Sequence, residues 1–199
     1  MLLIKLLSLT FAAKLKSMDF LDLVRQRRSV RSYDPGRIVE REKLDRCIEA
    51  LRLAPSACNA QPWKLVVVDD PALKEAMSSA AISTLLGFNK FTRQAPIIIA
   101  VVREEPNLTS KIGTVLKDKP YTLMDVGIAV EHFCLQATAE GLVTCIMGWF
   151  DEDKVKQLLN IPKKKRVELL VSLGYAAKEE IRQKIRKTTE EICSFNSYS

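Results

Sequence analysis

A chain of 199 residues with 47% hydrophobic and 28% charged side chains is long enough for one domain with a sizeable core. The formal net charge is +7 at pH 7, and Lys5, Lys14 and Lys16 supply part of it from a stretch without acidic residues. The remaining basic excess is mild and scattered, so it does not indicate a nucleic-acid-binding protein.

Cysteine and histidine usage excludes several classes of site. The five cysteines form no CxxC pair and are odd in number, which predicts neither a disulfide framework nor a zinc site but a reducing, cytoplasmic location. His132 is the only histidine, and nucleophilic catalysis of the Ser-His-Asp or Cys-His kind would rest wholly on it. We expect it to be a partnered core residue within a helix, not a ligand.

The N-terminal stretch 1–17 is apolar, but it lacks a basic leading segment, is interrupted by Lys5 and is too short to span a bilayer. We interpret residues 1–17 as an extension, with membrane anchoring as the alternative. Residues 18–199 are predicted to form a single domain.

Hydrophobic periodicity and turn residues predict alternating helices and strands. Helices are predicted at 19–28, 40–54, 70–81, 123–140 and 151–159, and strands at 65–68, 96–102, 143–146 and 167–175. Residues 82–95 give no clear signal, and 103–121 read as a polar excursion with a short helix. The unbroken apolar run 96–102 is typical of a strand buried on both faces.

The helix at 123–140 is apolar almost all round, which indicates a central helix or one in a subunit interface. Thr122 is predicted to cap its N-terminus, with Asp125 at the reciprocal position. Gly141 is predicted to end it.

Two segments carry side chains suited to a ligand. Four arginines and Ser29 fall within residues 25–31, and guanidinium groups suit a phosphate or an anionic heterocycle. A solvated basic helix end is the alternative, and it is favoured on this stretch alone. The connection at 56–63 contains Asn59 and Gln61, whose amides can contact a flat ligand, or it is an ordinary helix-to-strand loop.

Four stretches together carry a resemblance to a known family: 27–31, 55–63, 141–150 and 184–187. In order and spacing they resemble the nitroreductase family of FMN-dependent oxidoreductases, over residues 18–193. The resemblance implies an α+β fold with a central, mostly antiparallel sheet wrapped by helices, in an intertwined homodimer. It also implies two FMN molecules at the interface, an interface role for helix 123–140, and a C-terminal tail that adds a strand to the partner's sheet.

The resemblance also implies which residues bind the cofactor. Arg27 and Ser29, with Arg28 alongside, match positions that hold the FMN phosphate and ribityl chain. Lys184 and Arg186 match a basic pair near the C-terminus that closes on the phosphate.

Around the flavin ring, Arg31 matches a cation near N1 and O2, and Asn89 loosely matches a ring-contacting asparagine. Ile146, Met147 and Gly148 match the strand end over one ring face. Met147 replaces a carboxylate found in one branch of the family, so that branch's substrates are not carried over.

A third set matches the loop that one subunit lays against its partner's flavin. These residues are Pro55, Ser56, Ala57 and Asn59.

The implied activity is a two-step reaction in which NADH or NADPH reduces FMN and a nitroaromatic, quinone or similar small electrophile then takes up the electrons. The cofactor performs the transfer, so no catalytic residue is assigned. The alternatives are other flavin chemistry, such as reductive dehalogenation or an oxygen-dependent reaction, and a non-catalytic flavin carrier. A nucleic-acid patch is disfavoured because aromatic residues do not alternate with the basic run. No membrane or nucleic-acid partner is expected.

Overall fold

The computed structural model describes residues 19–82, 87–105, 119–178 and 183–198. Its α-helices are α1 (Phe20–Gln26), α2 (Arg41–Arg52), α3 (Pro71–Ala81), α4 (Tyr121–Ala139), α5 (Glu152–Leu158) and α6 (Thr189–Ile192). Its strands are β1 (Trp63–Val68), β2 (Ile97–Arg103), β3 (Val143–Met147) and β4 (Arg166–Gly174), and 3₁₀ turns occur at Ala57–Asn59 and Lys90–Gln94. The predicted extension 1–17 and residues 106–118 of the predicted excursion lie outside the described residues.

The four strands form one sheet in the order β1-β2-β4-β3, and every neighbouring pair is antiparallel. Strand β2 is interior and its first six residues are buried, which confirms the prediction of a strand covered on both faces. The α+β class with an antiparallel central sheet is therefore confirmed. Within the described ranges, none of the helices combines the length and apolar character needed to cross a membrane.

Side-chain alternation along β2 divides the core into two layers. Ile97, Ile99 and Val101 pack in the cluster that contains buried residues of α2 and α4. Ile98, Ala100 and Val102 point the other way, into the cluster formed with α3 and α5. Burial of one such aliphatic side chain contributes about 1.5–3 kcal/mol, so β2 contributes to both layers at once.

Helix ends mostly follow their sequence signals. Asp70 caps α3 by accepting a hydrogen bond from the Leu73 N–H at 2.8 Å, with Pro71 at the first helical position. Gly141, at φ 73°, ends α4 as predicted. Helix α1, however, ends at Gln26 rather than at residue 28, because the ψ of Arg27, 124°, is outside the helical region.

The predicted cap of α4 is wrong. The helix begins at Tyr121 with Pro120 at the capping position, and no side chain caps it. Asp125 is instead buried, and its Oδ1 accepts a hydrogen bond from the Ala57 N–H at 3.1 Å. Its carboxylate thus joins α4 to the loop before β1.

Helices α1 and α4 pack against each other, yet both expose apolar side chains. On α4, Leu123, Met124 and Ile128 are 42%, 50% and 40% exposed, and Phe20 and Leu21 of α1 are exposed as well. The buried side of α4 confirms its central position in the domain.

A buried polar contact closes the core at the end of β4. The Tyr33 hydroxyl lies 2.7 Å from Ser172 Oγ, and the Tyr33 ring stacks on Phe91. Burial raises the pKa of the Tyr33 hydroxyl, which therefore stays protonated. Gly174 lies beside this ring.

Candidate functional site

The candidate site is built along β3 and the arginine segment 27–31. After α1 the chain runs beside β3, with a parallel bridge between Ser29 and Thr144 and a 2.9 Å hydrogen bond from the Val30 N–H to the Thr144 carbonyl. The parallel direction places Arg28 near the Val143 end of β3 and Arg31 near the Ile146 end. Val143 and Ile146 are about 10 Å apart along the strand, at ~3.3 Å per residue.

At the C-terminal end of β3 lies a cavity of about 500 Å³, which we call the aromatic cavity. Its walls include Arg31, Asn89, Ile146, Met147 and Gly148, so the structure brings these five predicted site residues together. The remaining wall residues are Gly87, Phe88, Lys90, Phe91 and Trp149.

Two residues were not assigned to the site from the sequence although they shape the aromatic cavity. Phe88 and Trp149 meet edge to face, with ring centroids 6.4 Å apart. Both rings are more than half exposed, at 51% and 60%. The sequence signal that could have found them is an aromatic residue directly after a glycine, as in Gly87-Phe88 and Gly148-Trp149.

Gly148 and Asn89 present different groups to the aromatic cavity. A Cβ added at Gly148 would meet nothing within 4 Å, so this backbone faces open space. Asn89 adopts a left-handed conformation (φ 63°), and its Nδ2 donates to the carbonyls of Ala81 at 3.1 Å and Trp149 at 2.9 Å. Its amide NH₂ thus connects two parts of the cavity wall, residues 81 and 149.

Near the other end of β3 lies a second cavity, of about 600 Å³, which we call the basic cavity. Four cationic side chains line it: Arg25, Arg28, Arg37 and Lys184. The Arg37 guanidinium lies 3.4 Å above the ring of Tyr175, another wall residue, in a cation–π contact. None of the described residues in these walls is a carboxylate, so the cavity suits an anion.

Arg27 lies beside the basic cavity and faces α4. Its side chain is only 18% exposed, and its Nε lies 3.2 Å from Glu131 Oε1. Lys184 donates to the Val24 carbonyl at 2.6 Å. Desolvation, together with the nearby charges of Arg27 and Arg186, lowers the pKa of Lys184 below its ordinary value of 10.5. The predicted basic residues from both ends of the chain therefore lie close together; Glu131 was not assigned from the sequence.

The loop at 55–61 is held in an unusual shape. Ser56 Oγ accepts from the Gln61 N–H at 2.9 Å, and Asn59 Oδ1 accepts from Gln61 Nε2 at 3.0 Å. Cys58, Asn59 and Gln61 all have positive φ, a strained conformation for residues other than glycine. Pro55, Ser56, Ala57 and Asn59 line neither cavity of the single chain.

The described residues give no indication of metal chemistry or of nucleophilic catalysis by the buried cysteines. They include no group of three His, Cys, Asp or Glu side chains placed to hold a metal ion. Burial raises the pKa of Cys47 to about 12 and of Cys134 to about 11, and it also raises that of Cys145. These thiols stay protonated and are poor nucleophiles. His132 has the Ile128 carbonyl 2.9 Å from its Nδ1, which confirms a partner, but it is half-exposed, so the prediction of a core position is wrong.

Comparison with known proteins places this arrangement in a family. The family model described as nitroreductase family matches residues 24–175. The chain is 28% identical to the oxygen-insensitive NADPH nitroreductase of Helicobacter pylori, covering 86% of this chain and 96% of that protein. It is also 28% identical to an NADH dehydrogenase of Thermus thermophilus, covering 84% and 91%.

Solved structures agree. An FMN-dependent nitroreductase from Clostridium difficile superposes with a TM-score of 0.72 at 25% identity, covering 88% of this chain and 98% of that one. With most of its length matched by the family model, the chain belongs to the nitroreductase family and is an oxidoreductase of that family.

Proposed function

We propose that this protein binds FMN along β3 and uses NADH or NADPH to reduce small electrophiles such as nitroaromatics or quinones. The observation that carries the proposal is the arginine segment beside β3, which connects a cavity rich in cations to one with aromatic walls. A ligand with a flat ring and a phosphate tail needs an aromatic cavity for the ring and a cationic cavity for the phosphate.

The residues near the basic cavity fit a phosphate. Arg27, Lys184 and Arg186 form a positively charged group, with Arg28 in the cavity wall. Guanidinium and ammonium groups form strong charge-assisted hydrogen bonds with phosphate oxygens. Glu131 offsets one of the three positive charges of Arg27, Lys184 and Arg186. A phosphate dianion would offset the other two. The exposed Ser29 lies between the two cavities, where its hydroxyl suits a polyol chain.

The residues at the aromatic cavity fit a flavin ring. Bound FMN would supply the hydride chemistry, accepting two electrons from NAD(P)H and passing them to the acceptor. Arg31 places a cation where negative charge develops on a reduced ring. Gly148, with open space where a side chain would project, lets its backbone approach the ring closely. Phe88 and Trp149 give the cavity two aromatic walls against which a flat ring can pack.

A homodimer would complete this site. The exposed apolar residues of α1 and α4 form a surface that a second copy could cover. The loop at 55–59 lines neither cavity of its own chain, which leaves it available to contact the cofactor bound by the other subunit. We expect two FMN molecules per dimer, each contacted by both chains.

Spectroscopy on the purified protein tests the proposed function. We expect a dimeric mass, about one bound FMN per chain, and loss of the flavin absorbance on anaerobic addition of NADH or NADPH. Addition of a nitroaromatic or a quinone should then restore the absorbance. A folded protein that binds no added FMN would contradict the proposal. Flavin that stays oxidised with both nucleotides would favour a flavin carrier, and reduced flavin that neither acceptor reoxidises would favour other flavin chemistry.

The lowered pKa of Lys184 gives FMN binding a pH dependence. Lys184 loses its charge at a lower pH than an ordinary lysine, so FMN affinity should fall as the pH rises through this lowered pKa. Lys184→Arg should keep its affinity over the same range, because arginine stays charged. Titrations followed by FMN fluorescence between about pH 8 and 10.5 measure the FMN affinity of both proteins. Parallel losses in wild type and variant would contradict a phosphate-binding role for Lys184.

A further inference from the structure

Asp125 connects helix α4 to the loop that precedes β1. It lies in the first part of α4, is 4% exposed, and accepts the Ala57 N–H at Oδ1 over 3.1 Å. Ala57 belongs to the loop proposed above to contact the cofactor of the second subunit. Asp125 therefore links the helix at the proposed interface to the loop at the proposed site.

The loop's internal hydrogen bonds fix its shape but not its position. The Asn59 N–H donates to the Ser56 carbonyl at 3.0 Å, and the Gln61 N–H donates to Ser56 Oγ at 2.9 Å. These bonds stay within the loop. The Asp125 bond joins the loop to a helix packed in the core, so it limits where the strained 57–61 turn lies.

The other oxygen of Asp125 indicates that burying this residue has a cost in stability. Oδ2 is buried and has no hydrogen-bond partner among the described residues. A carboxylate is among the most costly groups to bury, and an unpaired oxygen adds to that cost. Stability that is given up at one position is often associated with a functional role.

We propose that Asp125 is a positioning residue: its Oδ1 holds the Ala57 backbone so that the Pro55–Asn59 loop meets the FMN bound by the second subunit. This inference rests on the proposed function. It does not require Asp125 to touch the cofactor. It requires one hydrogen-bond acceptor at this place, which an asparagine also provides.

Three variants test this role. Asp125→Ala removes the acceptor, and we expect FMN affinity to fall about tenfold or more. Asp125→Asn keeps an acceptor for Ala57, so affinity should stay within about threefold of wild type with an equal or higher Tm. Val155→Ala truncates a fully buried side chain in the opposite core layer and should lower Tm with no change in FMN affinity. Hydrogen exchange of the Ala57 amide should accelerate only in Asp125→Ala.

Each measurement separates the positioning role from a general loss of stability. Wild-type affinity in Asp125→Ala, or an equal loss in Asp125→Asn and Asp125→Ala, would overturn the proposal. A fall in affinity that tracks Tm alike in Asp125→Ala and Val155→Ala would also overturn it. Failure of wild-type protein to bind FMN would instead contradict the proposed function, and the Ala57 exchange rate would still report whether Asp125 anchors the loop.

Discussion

Replacing Arg27 with alanine is expected to weaken FMN binding by about 10- to 100-fold, since a hydrogen bond to a charged group contributes roughly 1.5–3 kcal/mol. The Arg27 side chain is mostly buried, so its charge is poorly screened by solvent. The substitution also leaves Glu131 without this partner, beside the place proposed for the phosphate. Titration with FMN, followed by quenching of flavin fluorescence, measures the change.

Arg52→Ala is the matched control. It removes the same charge from an exposed ion pair with Glu49 at the end of α2. Its FMN affinity should equal that of wild type, because a surface ion pair contributes little and no cavity wall is altered. Similar losses in both variants would mean that net charge, and not the position of Arg27, governs binding.

Gly174→Ala should have the largest effect on stability. An added Cβ would lie 2.5 Å from Pro96 Cδ and 3.0 Å from Tyr33 Cδ1, and both rings are rigid. Overpacking of this kind costs about 1–3 kcal/mol, so Tm should fall by roughly 2–12 °C. Differential scanning calorimetry measures the shift.

Gly36→Ala provides the comparison for Gly174. A Cβ there would come no closer than 3.4 Å to Asp34 Oδ1, an ordinary contact. Its Tm should change little. An unchanged Tm in Gly174→Ala would mean that Pro96 and Tyr33 move aside without cost, contrary to the close packing described for this end of β4.

The elements that carry a strong hydrophobic pattern could be predicted from the sequence. The run Ile97–Val102 has no polar residue, and the structure buries it on both faces. Asp70 followed by Pro71 marked the start of α3 correctly. The 3₁₀ turns and α6 were missed, because a few residues carry too little periodicity for recognition.

Asp125 shows where a local pattern misleads. Thr122 and Asp125 have the spacing of a capping pair, but the helix begins one residue before Thr122 and the carboxylate bonds to Ala57 instead. A capping signal depends on neighbours in the chain, whereas this bond depends on a contact 68 residues away. Long-range contacts of this kind cannot be predicted from spacing in a single sequence.

The candidate site was predictable where the chain itself supplies the geometry. Arg31 and residues 146–148 meet at one cavity because two adjacent segments run in the same direction. Phe88 and Glu131 were missed because each contributes through a single side chain with no surrounding motif. The loop at 55–59 is recognisable, yet the function proposed for it depends on a second chain, which sequence patterns alone do not position.

The order of the strands has a consequence for synthesis on the ribosome. Interior strand β2 pairs on one side with β1, which precedes it closely, and on the other with β4, which begins at Arg166. Until β4 is synthesised, one edge of a strongly apolar strand stays open to pairing with other nascent chains. The nascent chain is therefore vulnerable to aggregation through β2 until β4 has left the ribosome and paired with it.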